Sequence, residues 1–170
     1  IEKFDPEAVW RLVAAEGANT VSITGDAMAR PLAETLEELH SELDLSSVLT
    51  LNSTAAVFSP SIKEQLMELL PNAMILDAIG STEGGMNGMK IVEKGKKPDA
   101  GITTVDPGPG STVLDDDMKP VVPGSGTVGK LARSGNVPIG YYKDPDRSAA
   151  TFPVVDGVRY SIPGDYATLA

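Results

Sequence analysis

The chain has 170 residues, with 14 Lys plus Arg against 24 Asp plus Glu and a formal charge of −10. That balance argues against a nucleic-acid footprint, which needs clustered positive charge, yet it admits a nucleotide held by backbone N–H groups, a lysine and a cation. There is no cysteine, which excludes disulfides, thiolate zinc sites and cysteine nucleophiles, and no apolar run approaches the roughly 18 residues of a membrane span.

Hydrophobic residues make up 41% and charged residues 22% of the chain, ordinary values for a soluble globular protein. No signal-peptide pattern opens it, so the expected location is cytoplasmic. It opens on Ile1 and stops at GDYATLA without a closing signal; the expectation is an excerpt of a longer protein.

In chain order, FDPEAVWRLVAAEG predicts a helix with Asp5 as N-cap, Pro6 at its first position and Gly17 past its end. TVSIT (20–24) is β-branched and reads as a strand. GDAMARPLAETLEELHSEL predicts a second helix with Leu32, Leu36, Leu39 and Leu43 on one face and Pro31 near its first turn or at the start of its main body. VLTLN (48–52) predicts a strand, SPSIKEQLMELLP a helix capped by Ser59, and AMILDAI (73–79) a near-continuous apolar strand of the kind covered on both faces. Strands separated by helices imply a parallel-type sheet with right-handed crossovers, an α/β fold.

Near residue 86 the pattern changes. Gly and Pro become dense, and GMKIVEKG, STVLDDD, TVGKLARSG and NVPIGYY read as short strands. VVDGVRYS places Asp-Gly between apolar residues, a two-residue hairpin signal. The expected architecture is therefore an α/β subdomain portion over 1–86 and an antiparallel, barrel-like β subdomain portion over 87–170.

Chemistry concentrates in DAIGSTEGG (77–85), directly after the third strand. Ligands of open α/β sheets bind beyond the carboxyl ends of the strands. There Gly80 permits a sharp turn or close backbone approach, Ser81 and Thr82 offer hydroxyls to phosphate oxygens, and Glu83 is a hard oxygen ligand of the kind Mg²⁺ takes. Composition alone reads the same stretch equally well as a Gly-rich turn with a solvated Glu83. Asp165 in IPGDYATL reads first as a turn residue and otherwise as an acceptor for paired sugar hydroxyls. NSTAAVFSP reads first as a plain strand-to-helix connection, and otherwise as a place where a flat ring could lie against backbone. Asp115, Asp116 and Asp117 read as a solvated hairpin tip. His40, the one histidine, reads as a surface residue and leaves Ser–His catalysis without support.

Taken in order, STAAVFSP, IGSTEGG, GYYKDPDRSAATF and YSIPGDYATL resemble the adenylate-forming superfamily of acyl-CoA synthetases, luciferases and peptide-synthetase adenylation domains. The runs GDAMARPLAETL and IPGDYATL are most similar to bacterial fatty-acyl-CoA synthetases. The resemblance implies an adenine-side stretch at Thr54, Ala55 and Ala56, where the family usually has Gly-Gly-Ala. It implies that Asp77, Ala78 and Ile79 line the adenine, Ile79 standing where the family has tyrosine. Gly80, Ser81 and Thr82 would border the phosphates, with Thr82 and Glu83 catalytic and Glu83 the Mg²⁺ ligand. Asp165 would accept the ribose hydroxyls, although Pro163 stands where the family has threonine. Gly84, Gly85 and Met86 would flank the acyl pocket, and residues 129–152 would be scaffold.

The implied cofactors are ATP, Mg²⁺ and coenzyme A, and the implied partner is a small-molecule carboxylate, a fatty acid first. The family's phosphate loop would precede residue 1 and its mobile C-terminal domain would follow residue 170. The 170 residues alone are accordingly expected to be inactive and to self-associate through apolar faces that the missing parts would cover. A non-catalytic nucleotide-binding module of the same fold is the alternative, as is an adenylating ligase with a different carboxylate or thiol acceptor.

Overall fold

The computed structural model describes residues 3–92 and 104–170. They form an α/β fold with a parallel-containing sheet and a small antiparallel sheet. The elements in order are α1 (Pro6–Glu16), β1 (Thr20–Ile23), α2 (Gly25–Leu39), β2 (Thr50–Ser53), α3 (Pro60–Leu69), β3 (Met74–Ser81), β4 (Gly85–Val92), β5 (Asp106–Pro107), β6 (Ser111–Leu114), β7 (Gly129–Ser134), α4 (Pro145–Thr151), β8 (Val154–Val155), β9 (Val158–Ser161) and β10 (Tyr166–Ala167). The chain packs into two compact units, Ile1–Ala78 with Lys90–Val105, and Ile79–Met89 with Asp106–Ala170.

In the first unit, β1 pairs in parallel with β2 and β2 with β3, Val21 opposite Leu51 and Leu51 opposite Ile75. These three residues are buried in one core with Trp10, Leu32, Leu36, Val48 and Leu66. α1 forms where its local signals put it. Asp5 caps α1 by accepting from Ala8 N at 3.1 Å, and Gly17 closes it with φ 60°. Trp10, fully buried, donates its indole N–H to Leu32 O at 2.8 Å, tying α1 to α2.

Two local expectations differ from the structure. Pro31 lies in the second turn of α2, where its missing N–H leaves the Ala27 carbonyl without its helical donor. The same helix ends at Leu39, so Leu43 reaches the core from the following segment.

In the second unit, β7 is the spine. It pairs antiparallel with β6 along Ser111–Leu114, with β10 at Gly129 and Lys130, and with β9 at Arg133 and Ser134. The Asp-Gly hairpin forms as read: β8 and β9 are joined through Asp156 (φ 49°) and Gly157 (φ 79°). NVPIGYY is not a strand; Tyr141 makes one isolated bridge to Asp144, and Pro138 has no N–H to give a ladder. Of GMKIVEKG (88–95), residues 93–95 lie outside the described residues.

Candidate functional site

In the first unit, Thr54, Ala55 and Ala56 form the exposed loop that leaves β2. The N-terminus of α2 holds that loop. Asp26 N donates to Val57 O at 2.9 Å, and Asp26 Oδ1 accepts from Ser59 N at 2.7 Å. Ser59, expected to cap α3, makes no side-chain cap bond, and its Oγ is buried without a partner among the described residues. Ala55 adopts φ 66°, the left-handed region that costs an L-residue about 1–2 kcal/mol. A glycine position is therefore filled here by alanine.

Asp77, opposite Ser53 in the β2–β3 register, is buried in an ion pair with Lys63 of α3. The Lys63 ammonium also lies 5.1 Å from the centre of the Phe58 ring. Ala78, the next residue of β3, is half-buried.

In the second unit, Ile79, Gly80 and Ser81 complete β3, and Thr82, Glu83 and Gly84 form the turn into β4. Ser81 Oγ accepts the Gly84 N–H at 2.9 Å and so closes the turn; its hydroxyl proton is still a donor. A Cβ on Gly80 would stand 2.6 Å from Gly85 O. The close backbone approach read from the sequence is thus met by the neighbouring strand itself. Gly85 has φ 65°, and a Cβ there would run into Arg133 Nη1, which donates to Gly84 O at 2.6 Å. Arg133 thereby fixes the turn that carries Glu83.

Glu83 is half-buried, and its Oε1 accepts from the Tyr141 hydroxyl at 2.7 Å. That hydrogen bond, helped by the backbone N–H of Glu83 and the positive charge of Arg147 and opposed by slight burial, holds the Glu83 carboxyl below the usual carboxylate range. The group is ionised at neutral pH. Among the described residues no three His, Cys, Asp or Glu side chains gather as a metal cage. A lone ionised carboxylate on an accessible turn fits a Mg²⁺ ion bound mainly by substrate phosphates and water.

Asp165 is exposed, after Gly164 at φ 116°. Its backbone carbonyl accepts from Leu131 N at 2.8 Å. Leu131 and Arg133 belong to the same strand, so β7 supports both the Glu83 turn and Asp165. Sequence reasoning missed Arg133, Tyr141, Lys63 and Asp26. Tyr141 lay in a stretch read as scaffold, and its bond to Glu83 spans 58 residues, beyond any local pattern. A pocket of about 220 Å³ lined by His40, Leu43, Leu45, Val48, Leu70 and Pro71, among others, contains none of the candidate residues.

The model of the AMP-binding enzyme family matches residues 1–142. A 3-oxocholest-4-en-26-oate–CoA ligase of Rhodococcus rhodochrous is 50% identical over 169 residues, which is 97% of this chain and 30% of that protein. A medium/long-chain-fatty-acid–CoA/3-oxocholest-4-en-26-oate–CoA ligase of Mycobacterium tuberculosis is 50% identical over 165 residues, again 97% of this chain and 30% of that protein. The chain thus spans about 30% of the length of these curated relatives. Among solved structures, the nonribosomal peptide synthetase FmoA3 is similar with a TM-score of 0.84 at 18% identity, over 99% of this chain and 18% of that one. The N-terminal subdomain of NpsA from Klebsiella oxytoca, in complex with anthranilyl-AMSN, is similar with a TM-score of 0.74 at 20% identity, over 98% of this chain and 42% of that one. These two carry the fold, and the sequence match carries the family: the chain belongs to the AMP-binding enzymes.

Proposed function

We propose that this chain is part of an ATP-dependent acyl-CoA ligase, and that it contributes to the nucleotide site of the large N-terminal domain. The observation that carries the reading is 50% identity across 97% of the chain to a protein named as a CoA ligase. The parts 1–86 and 87–170 would be portions of one adenylation domain, with the phosphate loop and the mobile C-terminal domain outside residues 1–170. The substrate class is a medium or long fatty acid or a steroid side-chain carboxylate, as in the names of the relatives. A cytoplasmic location accompanies this reading.

The proposed reaction has two steps. A carboxylate oxygen of the acid attacks the α-phosphorus of ATP, forming the acyl–O–P bond as the bond to pyrophosphate breaks. The thiolate sulfur of coenzyme A, its proton given up to solvent, then attacks the acyl carbon, forming the thioester and releasing AMP. Bound Mg²⁺ would supply neutralisation of phosphate charge in the first step.

Glu83 is the residue that would hold that ion, ionised and oriented by Tyr141. Thr82 and Ser81 would donate to phosphate oxygens, and Asp165 would accept from the ribose hydroxyls. Thr54, Ala55, Ala56 and Ala78 would offer the adenine small groups, Ile79 would offer it an apolar one, and Gly80 would border the phosphates. Catalysis by such residues is mostly positioning and electrostatics.

The departures from the family pattern at Ile79 and Pro163 favour a second reading, a nucleotide-binding module without turnover. Carboxylate-dependent ATP–pyrophosphate exchange by the intact protein separates the two. Exchange that peaks at one acyl length or with a steroid acid is the expected result. No exchange with any acid, from folded protein that binds ATP, would overturn the ligase reading.

A further inference from the structure

We propose that Tyr141 is the positioning residue of the Glu83 carboxylate, and that the Tyr141–Phe152 segment thereby sets how strongly the site takes a divalent cation. The inference rests on the reading of Glu83 as the cation ligand. The phenol is anchored from several directions. Its ring meets Phe152, which is buried, at 5.5 Å between centroids and 51° between planes. The Arg147 guanidinium lies 4.2 Å from the ring centroid. The Tyr141 backbone N–H donates to Ser148 Oγ at 2.7 Å, and Ser148 Oγ donates to Asp144 O at 2.5 Å. Asp144 in turn caps α4 through Arg147 N at 3.0 Å.

The hydroxyl that reaches Glu83 Oε1 at 2.7 Å therefore sits on a fixed ring. A free glutamate samples three side-chain torsions, and ordering them costs conformational entropy. Tethering one oxygen removes part of that cost before a cation arrives. It occupies one of roughly four lone-pair directions on the carboxylate and leaves the others for a metal. Neighbouring Tyr142, 88% exposed with Lys143 over its ring, has no such anchoring.

The test uses the intact ligase with Mn²⁺ as a spectroscopic stand-in for Mg²⁺. Free Mn²⁺ is followed by electron paramagnetic resonance in the presence of a non-hydrolysable ATP analogue, so the readout needs no turnover. Tyr141→Phe keeps the ring stack and removes only the hydroxyl; it should weaken Mn²⁺ binding about 3- to 10-fold. Its adenylation rate should recover at high Mg²⁺. Tyr142→Phe should bind Mn²⁺ as the wild type does. Wild-type Mn²⁺ affinity in Tyr141→Phe, with binding lost in Glu83→Gln, would overturn the role of Tyr141 and leave Glu83 as the ligand. Unchanged binding in Glu83→Gln would overturn the cation reading itself, and the Tyr141 inference with it.

Discussion

Ala55 shows what a single side chain can cost. Its φ of 66° lies in the left-handed region, where a Cβ crowds the following carbonyl by about 1–2 kcal/mol. The loop is held in that shape from outside, through Asp26 to Val57 and Ser59, so the alanine cannot relax away. Ala55→Gly should raise stability by roughly 0.5–1 kcal/mol once the greater freedom of glycine in the unfolded chain is subtracted. Urea denaturation of the two proteins measures it, and a destabilised glycine variant would contradict the strain. Residues of this kind were half legible. The sequence marks 54–56 as a run of small residues after a strand, but the sign of φ depends on the α2 terminus packed against the loop. Glu83 stood out as a candidate because it is one acid among glycines after an apolar strand. Tyr141 was not, since nothing local ties it to a partner 58 residues away.

At the scale of elements, the α/β half was the more readable. α1 and α3 carry Pro at their first positions, and α1 has a capping Asp and a closing Gly, so their boundaries follow from backbone chemistry that needs no tertiary context. The half beyond residue 86 is built from strands of two to eight residues; apart from the β8–β9 hairpin, whose Asp-Gly turn gave its pairing, their partners lie far off in sequence, and pattern gives the strands without giving the pairings. Between α3 and β3 the sequence hid an energetic commitment. The Lys63–Asp77 pair has side chains only 9% and 11% exposed. Such a pair is weak evidence of net stability, because desolvation offsets the attraction; removing one partner strands the other charge. Lys63→Met should destabilise the protein by about 3–5 kcal/mol, and adding Asp77→Asn should recover much of that loss. A double-mutant cycle by thermal or urea unfolding tests this. Additive losses would mean that the two residues do not act as a pair.

On the scale of the whole molecule, charge and apolar surface pull in opposite directions. A formal charge of −10 opposes contact between copies. Yet the second unit exposes Ile139 at 90% and Tyr142 at 88%, along with Val122, Val128 and Tyr166. The 170 residues span about 30% of their curated relatives, and on the proposed reading further parts of the ligase adjoin them. Prepared alone, the chain is expected to self-associate, because apolar surface removed from water gains about 25 cal/mol per Å² while added salt screens the repulsion. Sedimentation velocity at rising protein and salt concentrations measures it: the average mass should climb with both. Ile139→Lys should lower the association, since it removes the most exposed large apolar side chain among the described residues and places a charge on that surface. A chain that stays monomeric at high salt would show that these side chains form no adhesive surface, and the apolar exposure would then be the ordinary scatter of single residues that soluble proteins tolerate.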